Sequence, residues 1–360
     1  QSKERTRLKS LEDKLRAEIK SYNASGKQAI YTVAARGNPG VTRLLNRGHA
    51  LQPKEEVYPG SIHAVSGVSA DFKIDKNAPD SARRKKLAEW ITHPENPLFT
   101  RVIVNRLWHH HFGSGLVKTP NDLGYSGGQP SHPKLLDWLA DKLKGEGYRL
   151  KAIHRLMVTS SAYRQASKPN AAALATDADN RLLWRKSPVR LDAESLRDAM
   201  LKASGKLNTR MGGPGFRDVT HRSQDGTVYY TPFDKEDAEL NRRTVYRFSP
   251  RGRRSAILDT FDCPDPSTAA PSRSVTTTPL QALALMNNAF VLRMAGGFAA
   301  SIQQQAAGDT GKQVELAYAR AYGRKPDADE KKYAQELVAS HGLSALCRVL
   351  FNSNEFVVIE

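Results

Sequence analysis

Apolar residues recur at helical spacing along most of this chain. Residues 1–21 carry Leu8, Leu11, Leu15 and Ile19 at three- and four-residue steps among Lys, Arg and Glu, the stripe of an amphipathic helix that needs a surface to pack on. From Ala34 to about Pro79 the pattern gives way to Gly, Pro, Asn and short apolar pieces, including Arg36-Gly37-Asn38-Pro39-Gly40, which predicts an extended connector with turns. The helical body starts near Asp80, where Leu87, Trp90 and Ile91 form a short face that His93-Pro94 closes, because a residue before proline avoids the α region. Asn96 caps the next helix, Pro97 sits in its first turn and Gly113 stops it. Further helices are predicted with Leu135, Leu136, Leu139 and Leu143 as one buried face, and with Leu150, Ile153, Leu156 and Met157 as another. Asp192 caps a helix carrying Leu196, Met200 and Ala203, and Gly205 to Gly215 reads as loop.

Two β-branched and aromatic runs, Thr227 to Tyr230 and Thr244 to Phe248, then predict a two-stranded excursion across the acidic stretch Asp234 to Glu239. Thr278-Pro279 opens a long apolar helix through Leu280, Leu283, Met286 and Phe290, and three more start near Thr310, Asp327 and Leu343. The expected fold is mainly α: a helical bundle-like domain with an extended N-terminal connector and a small two-stranded β excursion. Residues 1–79 form a helix and linker wrapping the body, and 80–360 form the helical domain, with the β insertion near 227–248.

Composition adds a partner class. The 360 residues hold 55 Lys plus Arg against 37 Asp plus Glu, a formal charge of +18, and such an excess concentrates polyanions by its summed field. Nucleic acid, acidic polysaccharide and anionic lipid are all eligible, and simple solvation of a dispersed surface charge explains the same letters. Cys263 and Cys347 are too few for a disulfide framework or a four-thiolate metal site, and their pairing stays open. No run is long and apolar enough to span a bilayer, and the start at Gln1 suits a piece of a larger parent.

Three constellations carry candidate chemistry. The first is Asn105 to Phe112, with Arg106, Trp108 and His111 as candidate ligand-binding residues. Its three adjacent histidines point about 100° apart on a helix and cannot converge on one ion, so no metal site is expected. The second runs from Asp259 through Asp262 and Asp265 to Arg273, Thr277 and Gln281. Proline-stiffened carboxylates, a guanidinium and a hydroxyl-lined helix start could hold a cation, a sugar or an anion, or could simply cap and pin the loop. The third is the cluster Arg242, Arg243, Arg247, Arg251, Arg253 and Arg254, interleaved with Tyr229, Tyr230, Tyr246 and Phe248, which suits stacking and anionic-polymer contacts or the solvated edge of a strand. No haem-attachment, phosphate-loop, dinucleotide or nucleophile-elbow motif occurs, so no cofactor is expected in this chain.

Asn96-Pro97-Leu98-Phe99-Thr100-Arg101 through Leu107-Trp108, then Pro120-Asn121-Asp122-Leu123-Gly124, then Ser131-His132-Pro133-Lys134 through Trp138-Leu139, and the later Phe261-Asp262-Cys263-Pro264-Asp265-Pro266 resemble the planctomycete-specific domain of unknown function fifteen fifty-three. The resemblance covers roughly residues 30 to 360. It implies an exported parent, a periplasmic or extracellular location and a haem c region elsewhere in that parent, and it brings no catalytic residue with it. The leading expectation is a binding module that docks against other domains of its parent and presents a basic face to an anionic polymer such as acidic polysaccharide. The rival is a carbohydrate-active or redox-linked enzyme domain using the Asp259 to Asp265 loop with nearby Arg and His in one cleft. A nucleic-acid role ranks below both, because export separates the parent from cytosolic DNA and RNA.

Overall fold

The computed structural model describes residues 2–24, 37, 40–250 and 253–359. Fourteen α-helices and three two-stranded sheets are formed among them, a mainly α fold as the periodicity predicts. The chain divides into two compact units, residues 1–160 and 161–360. That division falls elsewhere than the 79/80 boundary suggested by composition, because the connector and the helices after Asp80 pack as one body.

In the first unit, α1 (Ser2–Ala24) keeps Leu8, Leu11, Leu15 and Ile19 at the surface, each more than half exposed. Its amphipathic stripe is there, but its packing surface is not among the described residues. The turn at Arg36 to Gly40 lies mostly outside the described residues. The connector then makes a hairpin from β1 (Thr42–Leu45) and β2 (Pro53–Val57), a feature that the turn-rich reading missed. Its last part is anchored: Val65, Ala70 and Phe72 are buried, and Arg83 on α2 (Asp80–Ile91) donates to the Ala78 carbonyl at 2.9 Å.

Helix α3 (Pro97–Phe112) has the predicted ends. Asn96 Oδ1 accepts from Leu98 N–H at 3.0 Å, and Gly113 takes the left-handed conformation, φ 81°. Inside it, Asn105 is fully buried; its amide donates to the Val117 carbonyl and accepts from Val117 N–H, clamping the following loop. Helices α4 (Pro133–Gly145) and α5 (Leu150–Thr159) complete the unit, burying Leu136, Leu139, Leu143, Ile153 and Met157.

The second unit begins with α6 (Ala171–Thr176) and β3 (Val189–Arg190). Helix α7 (Ala193–Ala203) follows, its Asp192 cap accepting from Ser195 N–H at 2.7 Å. The β excursion differs from expectation. β4 (Val219–Gln224) pairs antiparallel with β5 (Thr227–Pro232) across Asp225-Gly226, whose φ values of 51° and 75° belong to the primed turn that matches strand twist. Thr244–Tyr246 is a 3-10 turn rather than the second strand. The chain after it is tied to Phe216, which donates to the Tyr246 carbonyl and accepts from Phe248 N–H. Gly215 permits that approach, since a Cβ there would sit 2.6 Å from the Tyr246 carbonyl oxygen.

After α8 (Ala256–Thr260), the single long helix expected from Thr278 onward is two: α9 (Pro279–Asn287) and α10 (Ala289–Gln305), bent by 52°. Asn288 is extended and caps α10 by accepting from Phe290 N–H, which interrupts the backbone ladder. The expected face is corrected with it: Leu280, Leu283 and Met286 are exposed, while Gln281 and Leu285 are buried. Helices α11 (Thr310–Tyr322), α12 (Ala328–His341), α13 (Leu343–Phe351) and α14 (Asn354–Val357) follow, and β6 (Val358–Ile359) returns to pair with β3. The core lies around α10, where Val291, Met294, Phe298 and Ile302 meet Met200 of α7 and Phe351 of α13. Among the described residues no single helix is long and apolar enough to cross a membrane.

Candidate functional site

The proline-stiffened loop after α8 divides into a pinned half and a pocket wall. Asp262 sits at φ 62°, and its carboxylate accepts from Thr276 N–H at 2.8 Å and from the Thr276 hydroxyl at 2.9 Å. Gln281 donates to the Thr260 carbonyl at 3.0 Å and closes the capping box of α9 with Thr278. Asp262 and Gln281 are therefore spent holding the loop against α9, and Thr277 is exposed beside them.

Asp259, Asp265 and Arg273 instead line one pocket of about 280 Å³, together with Arg247, Arg253 and Arg254. Two groups that looked separate along the chain thus form one site. Arg254 pairs with Asp259 at 2.9 Å. Arg273 makes a two-pronged pair with Glu194 on α7. Arg253 is exposed and has no ion pair among the described residues.

Arg247 is the least replaceable of these cations. Its side chain is only 6% exposed, and its Nε donates to Asp218 at 2.7 Å. Among the described residues its two terminal nitrogens make no hydrogen bond, and neither is sealed from solvent. A guanidinium held by one edge with its fork unspent is preorganised for a two-pronged bond to a carboxylate, sulfate or phosphate.

The other predicted arginines do different work. Arg242 is fully buried and donates to the Pro214, Arg210 and Gly212 carbonyls, with its guanidinium 4.0 Å from the Tyr246 ring centre, so it meets no polymer in this fold. Arg243 is more than half exposed and lies 3.8 Å from Asp198. Arg251 lies outside the described residues. The interleaved aromatics do not make one stacking platform either. Tyr229 and Tyr230 stand on β5, Tyr246 lies against Arg242, and the guanidinium of Arg217 sits over Phe248.

Arg197 on α7 escaped the sequence reading. It donates to the Leu240 and Arg242 carbonyls and lies over Phe216 and Phe290, and burial pushes it down to about 10 against the opposing pull of Asp198 and Asp218. Only its spacing on the buried face of α7, next to Leu196 and Met200, hinted at this role.

In the first unit, Arg106 donates to Asn121 at 2.9 Å. Trp108 is a core residue stacked on Phe112 at 4.0 Å. His111 Nε2 stands 2.8 Å from His154 Nδ1. These three candidates belong to a different unit from the arginine pocket.

Two of the pocket's carboxylates, Glu194 and Asp265, are held as anions. Burial alone would raise Glu194, but the Arg273 hydrogen bond and charge outweigh it and keep it below the ordinary range. Asp265 is lowered by the hydroxyl and N–H of Ser267. A general acid requires the opposite shift. Cys263, on the pocket wall, is pushed up to about 11 by burial and then by the charge of Glu194, so it stays a thiol near neutrality. It and the buried Cys347 are both free. Among the described residues no three His, Cys, Asp or Glu side chains are grouped to hold a metal ion.

No curated protein and no solved structure matches the chain. A family model does, over residues 83–338, which takes in α3, the β4–β5 pair and the whole arginine pocket. The chain belongs to PSD1, the family described as protein of unknown function (DUF1553).

Proposed function

We propose that the second unit is a binding module for an acidic saccharide, held in the arginine pocket. The observation that carries this reading is Arg247: a buried guanidinium anchored through Nε to Asp218, with its terminal N–H groups unspent and facing a pocket that Arg253, Arg254 and Arg273 also line. The same pocket presents Asp259 and Asp265 and the hydroxyls of Ser249, Ser255 and Thr268. Inorganic phosphate would have no use for those carboxylates. A uronic or sulfated sugar has one, because its hydroxyls donate to carboxylates while its acidic group accepts from arginines. The downward shifts of Glu194 and Asp265 favour binding over acid catalysis.

Titration calorimetry with uronic and sulfated heparin-type oligosaccharides tests this. Affinity should fall steeply as salt rises. Arg253→Ala and Arg254→Ala, both at exposed positions, should each weaken binding by about tenfold or more, the scale of one charge-assisted hydrogen bond. Absence of binding at low ionic strength would remove the reading. We further propose, from the family resemblance, that the chain works outside the cytoplasm and docks on other domains of a parent that bears haem c. Fractionation of the producing cells, following the chain by antibody, checks the location.

A further inference from the structure

A second cavity of about 240 Å³ adjoins the arginine pocket, and Arg247 and Ser255 line both. Its character is different. Phe216, Pro232, Phe233, Leu240, Ile257 and Phe290 give it an apolar, aromatic wall. Its other charges are largely paired: Asp234 with Arg293, Arg197 with backbone carbonyls, and Asp218 with Arg247 through Oδ2, while Asp218 Oδ1 is buried without a hydrogen-bond partner. Phe233 is only half-buried, immediately after β5. Each cavity lies below the roughly 300 Å³ at which pockets for drug-sized ligands begin. Taken singly, each has room for about one small ring.

We infer that the two cavities are consecutive subsites for one extended acidic oligosaccharide, with its anionic group among the arginines and the apolar face of the neighbouring ring on Phe233. This rests on the acidic-saccharide reading and adds to it a minimum ligand length of two units. Arg247 stands at the junction with unspent donors, where it can bond the acidic group of the first ring or the linkage oxygen. Phe233 supplies the flat surface on which the C–H face of a sugar packs, a contact of the ring-face kind that aromatic side chains offer.

The test is a length series, using uronic and heparin-type sulfated ligands of one, two and four units, measured by calorimetry on the full chain and on Phe233→Ala. The native chain should bind two units at least tenfold tighter than one, with little further gain at four. In Phe233→Ala that gain should shrink to threefold or less while affinity for the single acidic sugar stays unchanged; circular dichroism checks that the variant is folded. Equal affinity for one and two units in the native chain would overturn the second subsite and leave the arginine pocket standing. So would an equal loss for both lengths in Phe233→Ala. Failure of every acidic sugar to bind would remove the underlying reading itself.

Discussion

Two polar-rich regions, the end of α3 in the first unit and the arginine pocket of the second, carry similar residue types and end up with opposite capacities. At the end of α3 the polar groups are turned inward or onto each other. Asn105 is closed on Val117, Arg106 on Asn121 and His111 on His154, and Trp108 is core. In the pocket, Asp218 fixes Arg247 by one nitrogen only and Arg253 carries no ion pair among the described residues. Ligand-binding capacity follows from donors left over after folding, not from how many charged letters a segment contains. The same contrast separates Arg242 from Arg247, five positions apart: one gives its guanidinium to three backbone carbonyls, the other keeps its fork for something else.

Mutations can break that contrast, the largest effect coming at Arg242, whose terminal nitrogens hold three backbone carbonyls. Arg242→Ala should destabilise the second unit by about 3 kcal/mol or more, since several carbonyls lose their donor and a buried side chain leaves a cavity. Chemical denaturation reads this. A loss under about 1 kcal/mol would mean that Arg242 is not the strut it looks like. Asn105→Ala should cost about 2 kcal/mol in the first unit through the same logic of orphaned buried backbone groups, measured the same way. Asp262→Ala should cost about 1–3 kcal/mol, because it removes the acceptor for Thr276 and places a Cβ residue at positive φ with no compensating bond. Asp262→Asn, which keeps an acceptor and tolerates that conformation, should cost less. If both variants bind acidic sugars like the native chain, Asp262 is confirmed as scaffold and not ligand.

The smallest effect is a pH dependence. His109 is lowered by burial and then by the charge of His110, so the unfolded chain takes up its proton first on acidification. Stability therefore falls as pH drops below the ordinary histidine value near 6.5 and levels off below the folded value. The melting temperature of His109→Gln should decline less than that of the native chain between about pH 7.5 and about pH 5. Parallel declines would put the acid sensitivity elsewhere.

Much of the helical scaffold was legible because its signals are local. Asn96 with Gly113, and Asp192, cap where the letters say they should, and α12 starts at the predicted Asp327. The β excursion was misread because β4 is polar: His221-Arg222-Ser223-Gln224 lacks the β-branched run that marks a strand, although Asp225-Gly226 announced the turn. The stripe of α1 shows the opposite limit, a clear pattern whose buried counterpart is not among the described residues. The pocket lay beyond local reading altogether. Glu194 and Arg273 meet across 79 positions and Arg247 and Asp218 across 29, so only the fold reveals which of the loop's carboxylates are spent and which line the site.

The most direct test is a crystal structure of the chain grown with a sulfated heparin-type disaccharide. An acidic group within about 3 Å of the terminal nitrogens of Arg247, with the second ring over Phe233, is the predicted result. Sugar bound only along scattered surface lysines, with the arginine pocket holding nothing but solvent, would contradict it.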